Sequence, residues 1–214
     1  MTDVYIVQKL ENNKDIIVNV PGSKSITNRA LMLAALSDGE CNLDGVLFSD
    51  DSRAFLDCLE KLGFQLFIDE NEKRVKVVGT SGEIPNRKAT IDVRSAGTAA
   101  RFLTVMLAVT GGEYTLNSSE QMKKRPMGEI IDLIRSAGVK ISCLEEEGHF
   151  PFIISSNGLD KKEVSINTDT SSQYASALLM AAVMTGLKIK LTGKRVNGAY
   201  IKITLNMLKQ FGIK

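Results

Sequence analysis

Small, hydroxylated and cationic residues gather in three short stretches of the chain, each directly ahead of an apolar run. The first is PGSKSITNR (21–29), the second is RSAGTAAR (94–101) and the third is TSSQ (170–173). Glycine lets a backbone approach a ligand closely, and the free N–H groups at a helix start attract anions. Arginine binds carboxylate or phosphate in a bidentate manner, whereas lysine acts as a point charge. The stretches therefore favour phosphate or carboxylate binding, although serine and threonine are also ordinary helix N-caps.

Two sets of glycines recur at a nearly constant spacing. The members of the first set each follow an amphipathic helical pattern: Gly63, Gly138 and Gly212. Those of the second set each follow the apolar helix of a unit: Gly39, Gly112 and Gly186. Two independent landmarks with the same period indicate three repeated units of about 75 residues.

Hydropathy within one unit predicts the element order βαβαββ. In the first unit the predicted elements are a strand at 16–20, a helix from Ser25 to about Leu36, a strand near 40–46, a helix at Ser52–Leu62 and strands at 64–68 and 74–78. Asp50 and Asp51 are expected to cap the second helix and to place negative charge at its N-terminus, and pairing with a nearby arginine is a further option. The fold class is therefore α/β, with repeated βαβαββ units around a pseudo-threefold axis that would bring the three helix starts to one end.

The third unit begins at EVSIN (163–167) and the sequence ends before two of its strands. A unit like the first would need roughly 15–25 more residues. We therefore expect about three units, the last incomplete, in a fragment of a longer protein. A third unit that is simply shorter is the alternative.

Composition narrows the classes of function. The chain is 43% hydrophobic and 24% charged with a net charge of +2, values typical of a globular domain that carries any anion site locally. A near-neutral charge without clustered aromatic residues disfavours nucleic-acid binding. Three scattered cysteines and one histidine predict neither a metal site nor a disulfide framework. No signal peptide and no membrane-spanning run is expected, so we predict a cytoplasmic protein.

The motifs also resemble a known family. PGSKSITNRALMLAAL, SDDS, SAGTAAR, KKRPMG and SSQYASALLMAA, in this order over about residues 16–214, closely resemble the 5-enolpyruvylshikimate-3-phosphate synthase family. The resemblance implies two enolpyruvyl transferase-like domains that close over a cleft. Residues 21–214 would form one domain, and residues 1–20 would pack with the missing second domain. The related UDP-N-acetylglucosamine enolpyruvyl transferases share the fold but lack the KSxxNR pattern.

The resemblance implies transfer of the enolpyruvyl group of phosphoenolpyruvate to the 5-hydroxyl of shikimate 3-phosphate, without metal or cofactor, in aromatic amino-acid biosynthesis. Lys24 would touch both substrates and take part in proton transfer, while Gln173 would lie between them. The residues implied to bind shikimate 3-phosphate are Lys24, Ser25, Arg29, Ser171, Ser172, Gln173, Asn197 and Tyr200. Those implied to bind phosphoenolpyruvate are Lys24, Gly97, Arg125 and Gln173. Ser95 and Asn197 depart from the asparagine and serine that the family usually has there.

The family's remaining acid and base groups lie in its second domain. We therefore expect this chain, as a monomer, to bind shikimate 3-phosphate without turnover. The partners expected are the two small-molecule substrates and the missing C-terminal domain, with no nucleic acid and no membrane. Two alternatives remain open: a non-catalytic phosphometabolite-binding module, and a relative of the UDP-N-acetylglucosamine enolpyruvyl transferases.

Overall fold

A computed structural model describes residues 4–6, 20–194, 196 and 198–213, and within them the repeat is visible directly. The first unit contains helix α1 (Lys24–Leu36), strand β1 (Asp38–Asp44), helix α2 (Asp50–Lys61) and strands β2 (Leu66–Asp69) and β3 (Arg74–Thr80). The predicted strand at 16–20 lies almost wholly outside the described residues.

Within the described residues, the second unit repeats these elements and has two more. Its members are β4 (Lys88–Asp92), α3 (Gly97–Thr110), β5 (Gly112–Asn117), the one-turn α4 (Glu120–Lys123), α5 (Gly128–Ser136), β6 (Lys140–Cys143) and β7 (Phe152–Ser156). The third unit contains β8 (Glu163–Asn167), α6 (Ser172–Ala181) with a short 3₁₀ turn behind it, β9 (Lys188–Thr192) and α7 (Ala199–Gln210).

Each unit has its own sheet, and the sheets match. The order β4-β5-β7-β6 pairs the first two strands in parallel and the others antiparallel. The sheet of the first unit has the order β1-β3-β2, and these strands occupy the positions of β5, β7 and β6. In the third unit β8 and β9 pair in parallel, as β4 and β5 do. This matching topology confirms the predicted repeat.

The first helices of the three units form the centre of the molecule. Helices α1, α3 and α6 all contact one another, which agrees with a pseudo-threefold arrangement. Helix α3 is mostly apolar and is buried from Gly97 to Ala100 and from Phe102 to Val109. A mostly apolar helix belongs inside a core, and here it packs between α1 and α6. Helix α3 therefore lies in the core of the molecule, against the first helices of the other two units.

The start of α2 differs from the prediction. Helix α2 begins at Asp50 rather than Ser52, because the side chain of Ser49 accepts a hydrogen bond from Ser52 N while Ser52 Oγ accepts one from Ser49 N. This reciprocal capping box satisfies two backbone donors that would otherwise lack a partner. Asp50 and Asp51 thus lie in the first turn, where their charges interact favourably with the helix dipole as expected, whereas the expectation that they cap the helix was wrong.

Candidate functional site

A hydrogen bond between side chains connects the second and third of the predicted anion-binding stretches, which lie in different units. Helix α3 begins at Gly97, and helix α6 begins at Ser172 behind the N-cap Ser171, whose hydroxyl accepts a hydrogen bond from Gln173 N. The side chain of Gln173 donates through Nε2 to Thr98 Oγ1 at 3.3 Å. The N–H ends of α3 and α6 therefore face a shared region, with Gln173 spanning the boundary.

Arg29 joins the first loop to the third unit. Its guanidinium donates from Nε to Thr204 Oγ1 at 2.8 Å and from Nη2 to Ser176 Oγ at 2.9 Å. A further bond from Nη1 to the carbonyl of Ser25, also 2.8 Å, holds the group against its own helix. The guanidinium also lies 5.8 Å from the ring centroid of Tyr200. These contacts bring three of the predicted site residues together: Ser25, Arg29 and Tyr200.

The charge of Arg29 has little compensation. The residue is 1% exposed, and burial lowers the pKa of its guanidinium to about 10. Among the ion pairs of the described residues none involves Arg29, whose hydrogen-bond acceptors are neutral hydroxyls and a carbonyl. A buried cation is costly unless an opposite charge approaches it. The arrangement therefore favours an anionic ligand next to Arg29.

Two further guanidinium groups converge on Gly97. A methyl group placed on Gly97 would lie 2.9 Å from Nη1 of Arg101 and 2.9 Å from Nη1 of Arg125. Arg101 donates to the Gly97 carbonyl at 2.9 Å, and its buried Nε has no partner in the described part of the chain. A side chain at this position would displace the flexible ends of the two arginines. The predicted pair of Gly97 and Arg125 is thus brought together at the start of α3, with Arg101 beside it.

Lys24 is held by an acidic residue of the next helix. Its Nζ lies 3.4 Å from Oδ1 of Asp51, and its side chain is 47% exposed. Asp51 therefore pairs with a lysine, not with the arginine that the sequence suggested. Lys24 is the first residue of α1, so this ion pair lies beside the start of that helix.

The remaining predicted residues are on the same helix starts. Ser25, Ser171 and Ser172 are partly exposed, and Tyr200 is 49% exposed on the first turn of α7. Asn197 falls outside the described residues. The structure contains no ligand, so the individual binding roles stay predictions.

Sequence reasoning missed the residues that hold Arg29. Ser176 and Thr204 are each fully buried on a mostly apolar helix face, one turn after Ser172 and Tyr200 respectively. The sequence feature that could have identified them is a single hydroxyl-bearing residue at a core-facing position of an otherwise apolar helix. Asn28 is also fully buried, and both polar atoms of its amide lack a partner among the described residues.

Two other cationic side chains from the predicted loops form ion pairs with surface carboxylates. Arg94 pairs with Asp57 at the surface, and Lys123 pairs with Glu120 and Glu145. In the described ranges no group of three or more histidine, cysteine, aspartate or glutamate residues could hold a metal ion. Nor does any helix within those ranges have the length and apolarity to cross a bilayer.

Comparisons with known proteins agree with the repeat and the motifs. The family model described as EPSP synthase (3-phosphoshikimate 1-carboxyvinyltransferase) matches residues 9–214. Curated relatives with that name include one from Neisseria meningitidis serogroup B, which is 43% identical over 94% of this chain. Another, from Trichormus variabilis, is 36% identical over 99% of this chain. These alignments cover 47% and 50% of the two relatives.

Solved structures show the same fold. EPSP synthase from Acinetobacter baumannii superimposes with a TM-score of 0.78 at 24% identity, over 92% of this chain and 44% of that one. The enolpyruvyl transferase NikO from Streptomyces tendae gives a TM-score of 0.56 at 14% identity, over 90% of this chain and 43% of its own. The chain spans about half the length of the curated relatives that it matches. By its motifs, its repeat and its match to the family model, this chain belongs to the EPSP synthase family.

Proposed function

We propose that this chain forms one wall of the active site of a 3-phosphoshikimate 1-carboxyvinyltransferase, the wall that binds shikimate 3-phosphate. The observation that carries the proposal is Arg29, a buried guanidinium without a carboxylate partner among the described residues, set between the starts of α1 and α7. Family membership supplies the reaction, and the local chemistry supports it because both substrates carry phosphate and carboxylate groups.

In this proposal each helix start takes a different part of the substrates. Ser171, Ser172 and Gln173 at the start of α6 bind the 3-phosphate of shikimate 3-phosphate, while Ser25 and Arg29 bind the carboxylate and hydroxyl side of its ring. Asn197 and Tyr200 complete this side. A phosphate at a helix N-terminus is stabilised by the unpaired N–H groups and by the helix dipole.

Phosphoenolpyruvate would bind where Gly97 and Arg125 meet. The glycine allows the ligand to reach the backbone, and the guanidinium pairs with its negative groups. Gln173 and Lys24 would contact both substrates, since Gln173 already joins the starts of α3 and α6.

The reaction needs positioned charges and two proton transfers. The 5-hydroxyl oxygen bonds to C2 of phosphoenolpyruvate and loses its proton to a base, while C3 gains a proton. The C2–O bond to phosphate then breaks, phosphate leaves with the electron pair, and C3 gives up a proton to restore the double bond. Fixed cations stabilise both anions throughout, and Lys24 is the residue of this chain that we assign to the proton chemistry.

The other acid and base groups would come from the second half of the longer relatives. We therefore propose that this chain alone binds shikimate 3-phosphate as a monomer in the cytoplasm but does not turn over. The second half would be its partner.

A phosphorus NMR titration tests this assignment. Shikimate 3-phosphate added to the chain should show a shifted or broadened phosphate resonance, and unphosphorylated shikimate should not displace it at equal concentration. A phosphate-release assay with both substrates should stay at background.

Two results would overturn the proposal. Turnover by rigorously purified chain would refute the claim that one wall is insufficient. Preferential binding of UDP-N-acetylglucosamine over shikimate 3-phosphate would instead support the alternative transferase.

A further inference from the structure

Tyr174 is a buried tyrosine in the first turn of α6 to which the proposed function assigns no role. The residue is 3% exposed, and its hydroxyl donates to the carbonyl of Pro126 at 3.0 Å. Burial is the largest cause that raises the pKa of this phenol above its ordinary value, so the hydroxyl keeps its proton and acts as a donor. The bond crosses from the third unit to the second, between residues 48 positions apart.

The Pro126 carbonyl belongs to the short segment 124–127, which connects α4 to α5 and carries Arg125. Arg125 is exposed, and in the part of the chain that the structure describes its guanidinium makes no hydrogen bond and no ion pair. The position of this guanidinium therefore depends on the backbone of segment 124–127. Because the bond from Tyr174 comes from another unit, it fixes that backbone relative to the start of α6.

The ring of Tyr174 contacts the second arginine at Gly97. Cζ of Arg101 lies 5.5 Å from the ring centroid, within the range of a cation–π contact. Arg101 in turn donates to the Gly97 carbonyl at 2.9 Å. One side chain of α6 thus contacts the Arg101 guanidinium through its ring and the backbone next to Arg125 through its hydroxyl.

The neighbouring residue on α6 also reaches across the unit boundary. Gln173 donates to Thr98 Oγ1, so two consecutive residues of α6 hold the start of α3 and segment 124–127. The other central helices have no hydroxyl at the position of Tyr174, since the third residue of α1 is Ile26 and that of α3 is Ala99. The repeated fold therefore does not itself require a hydroxyl there.

We infer that Tyr174 is a positioning residue that couples the two proposed substrate sites. The inference rests on the proposed function, in which α6 binds shikimate 3-phosphate and the region of Gly97 and Arg125 binds phosphoenolpyruvate. Tyr174 touches neither substrate. Its hydroxyl and ring hold the two guanidinium groups next to Gly97 at a fixed place relative to the start of α6. Coupling of this kind is reciprocal, so each substrate raises the affinity for the other by the same factor.

The variant Tyr174→Phe removes only the hydroxyl, and Tyr114→Phe is its matched control. Tyr114 is also buried, and its hydroxyl donates to the Gly111 carbonyl at 2.9 Å, at the opposite end of α3 from Gly97. Each substitution takes one hydroxyl from a backbone carbonyl, so the two variants should lose a similar amount of stability. A difference between them in another property therefore reports the place of the hydroxyl.

Hydrogen exchange of backbone amides, followed by NMR without ligand, tests the positioning. The amides of Arg125 and Met127 donate to carbonyls of the second unit at 2.9 and 2.8 Å. Both should exchange about three- to tenfold faster in Tyr174→Phe than in Tyr114→Phe, the worth of one net hydrogen bond lost from a locally opening segment. Equal exchange in the two variants would overturn the inference.

Calorimetric titration tests the coupling. Affinity for shikimate 3-phosphate alone should agree within about twofold in the wild type and both variants. Affinity for phosphoenolpyruvate in the presence of saturating shikimate 3-phosphate should fall by about three- to tenfold in Tyr174→Phe and stay unchanged in Tyr114→Phe. A merely structural role would instead weaken both ligands alike, or weaken phosphoenolpyruvate equally in both variants.

Either of those patterns would overturn the inference, and so would a wild-type chain that binds shikimate 3-phosphate but not phosphoenolpyruvate. A failure of the proposed function gives a different result. If the wild type binds no shikimate 3-phosphate while the amides of Arg125 and Met127 exchange faster in Tyr174→Phe, the proposed function is refuted, and Tyr174 still positions segment 124–127.

Discussion

Burial of the Arg29 guanidinium has a cost for folding, and in the proposed function the same group binds the substrate. Its guanidinium is buried against Phe102 and Tyr200, with hydroxyl partners on two helices of another unit. Burial lowers the pKa of Arg29 to about 10, because the charged form loses its hydration without gaining a carboxylate. A buried charge of this kind is costly in the empty protein, and in the proposed function a bound anion would offset that cost.

Replacement of Arg29 by methionine should therefore separate stability from binding. The free energy of unfolding should rise or fall by no more than about 1 kcal/mol, because an apolar side chain of similar length removes a desolvated charge. Thr204 Oγ1 keeps its bonds to Ser176 and to the Tyr200 carbonyl. Binding of shikimate 3-phosphate should weaken by about 10- to 100-fold, the worth of charge-assisted hydrogen bonds. Urea unfolding and calorimetry measure the two effects.

The matched control is Arg53→Met. Arg53 pairs with Glu70 at the surface, where an ion pair contributes little, so both stability and binding should stay close to the wild type. A loss of several kcal/mol in Arg29→Met would show that Arg29 is a structural residue and would contradict the account.

Cys58 gives a second residue-scale prediction. It is 1% exposed, and burial first of all raises the pKa of its thiol to about 12. A raised pKa means that the reactive thiolate is scarce at pH 9, so alkylation by iodoacetamide requires unfolding. Cys58 should react at least about 100-fold more slowly than the more accessible Cys143. Similar rates, followed by peptide mass spectrometry, would mean that the core around α2 opens readily.

At the scale of elements, the sequence predicted more of the helices and strands than of their contacts. The glycine landmarks and apolar spacing placed α1, α3 and α6, because propensity and periodicity are local properties. The bond from Arg29 to Ser176 joins residues 147 positions apart, and no local pattern encodes it. The capping role of Ser49 was also missed, since two aspartates beside it offered equally good caps by type.

Gly97→Ala tests the start of α3. The added methyl would lie 2.9 Å from a terminal nitrogen of both Arg101 and Arg125, so these flexible ends must shift. Stability should change by less than about 1 kcal/mol, because alanine is a better helix former than glycine and offsets part of the strain. Binding of phosphoenolpyruvate in the presence of shikimate 3-phosphate should weaken by about tenfold or more, as followed by phosphorus NMR.

Gly128→Ala is the control for that change. Gly128 is also the first residue of a helix, α5, and the nearest atom to an added methyl would be 3.9 Å away. The Gly128→Ala variant should bind phosphoenolpyruvate as tightly as the wild type. Equal weakening in both variants would mean that a general helix effect, rather than the two guanidinium groups, is responsible.

At the scale of the whole molecule, the repeat is what makes a site from separate loops. Three units of one topology place α1, α3 and α6 side by side, and the hydrogen bonds from Gln173 to Thr98 and from Arg29 to Ser176 join the N-terminal turns that we propose to bind anions. The period was readable from glycines alone. The burial of the site residues could not be predicted from the sequence. Tyr200 and Phe102 contact the guanidinium of Arg29 only because of the way the units pack.

The central claim is that this chain by itself carries the shikimate 3-phosphate half of the site. Calorimetric titration of the chain with shikimate 3-phosphate tests it most directly, with Arg29→Met and Ser171→Ala as the variants and the surface change Ser142→Ala as the control. The account predicts binding with one site per chain, weakened by both site variants and unchanged in the control. A folded chain that binds no shikimate 3-phosphate, or binds it equally in all four proteins, would contradict the account.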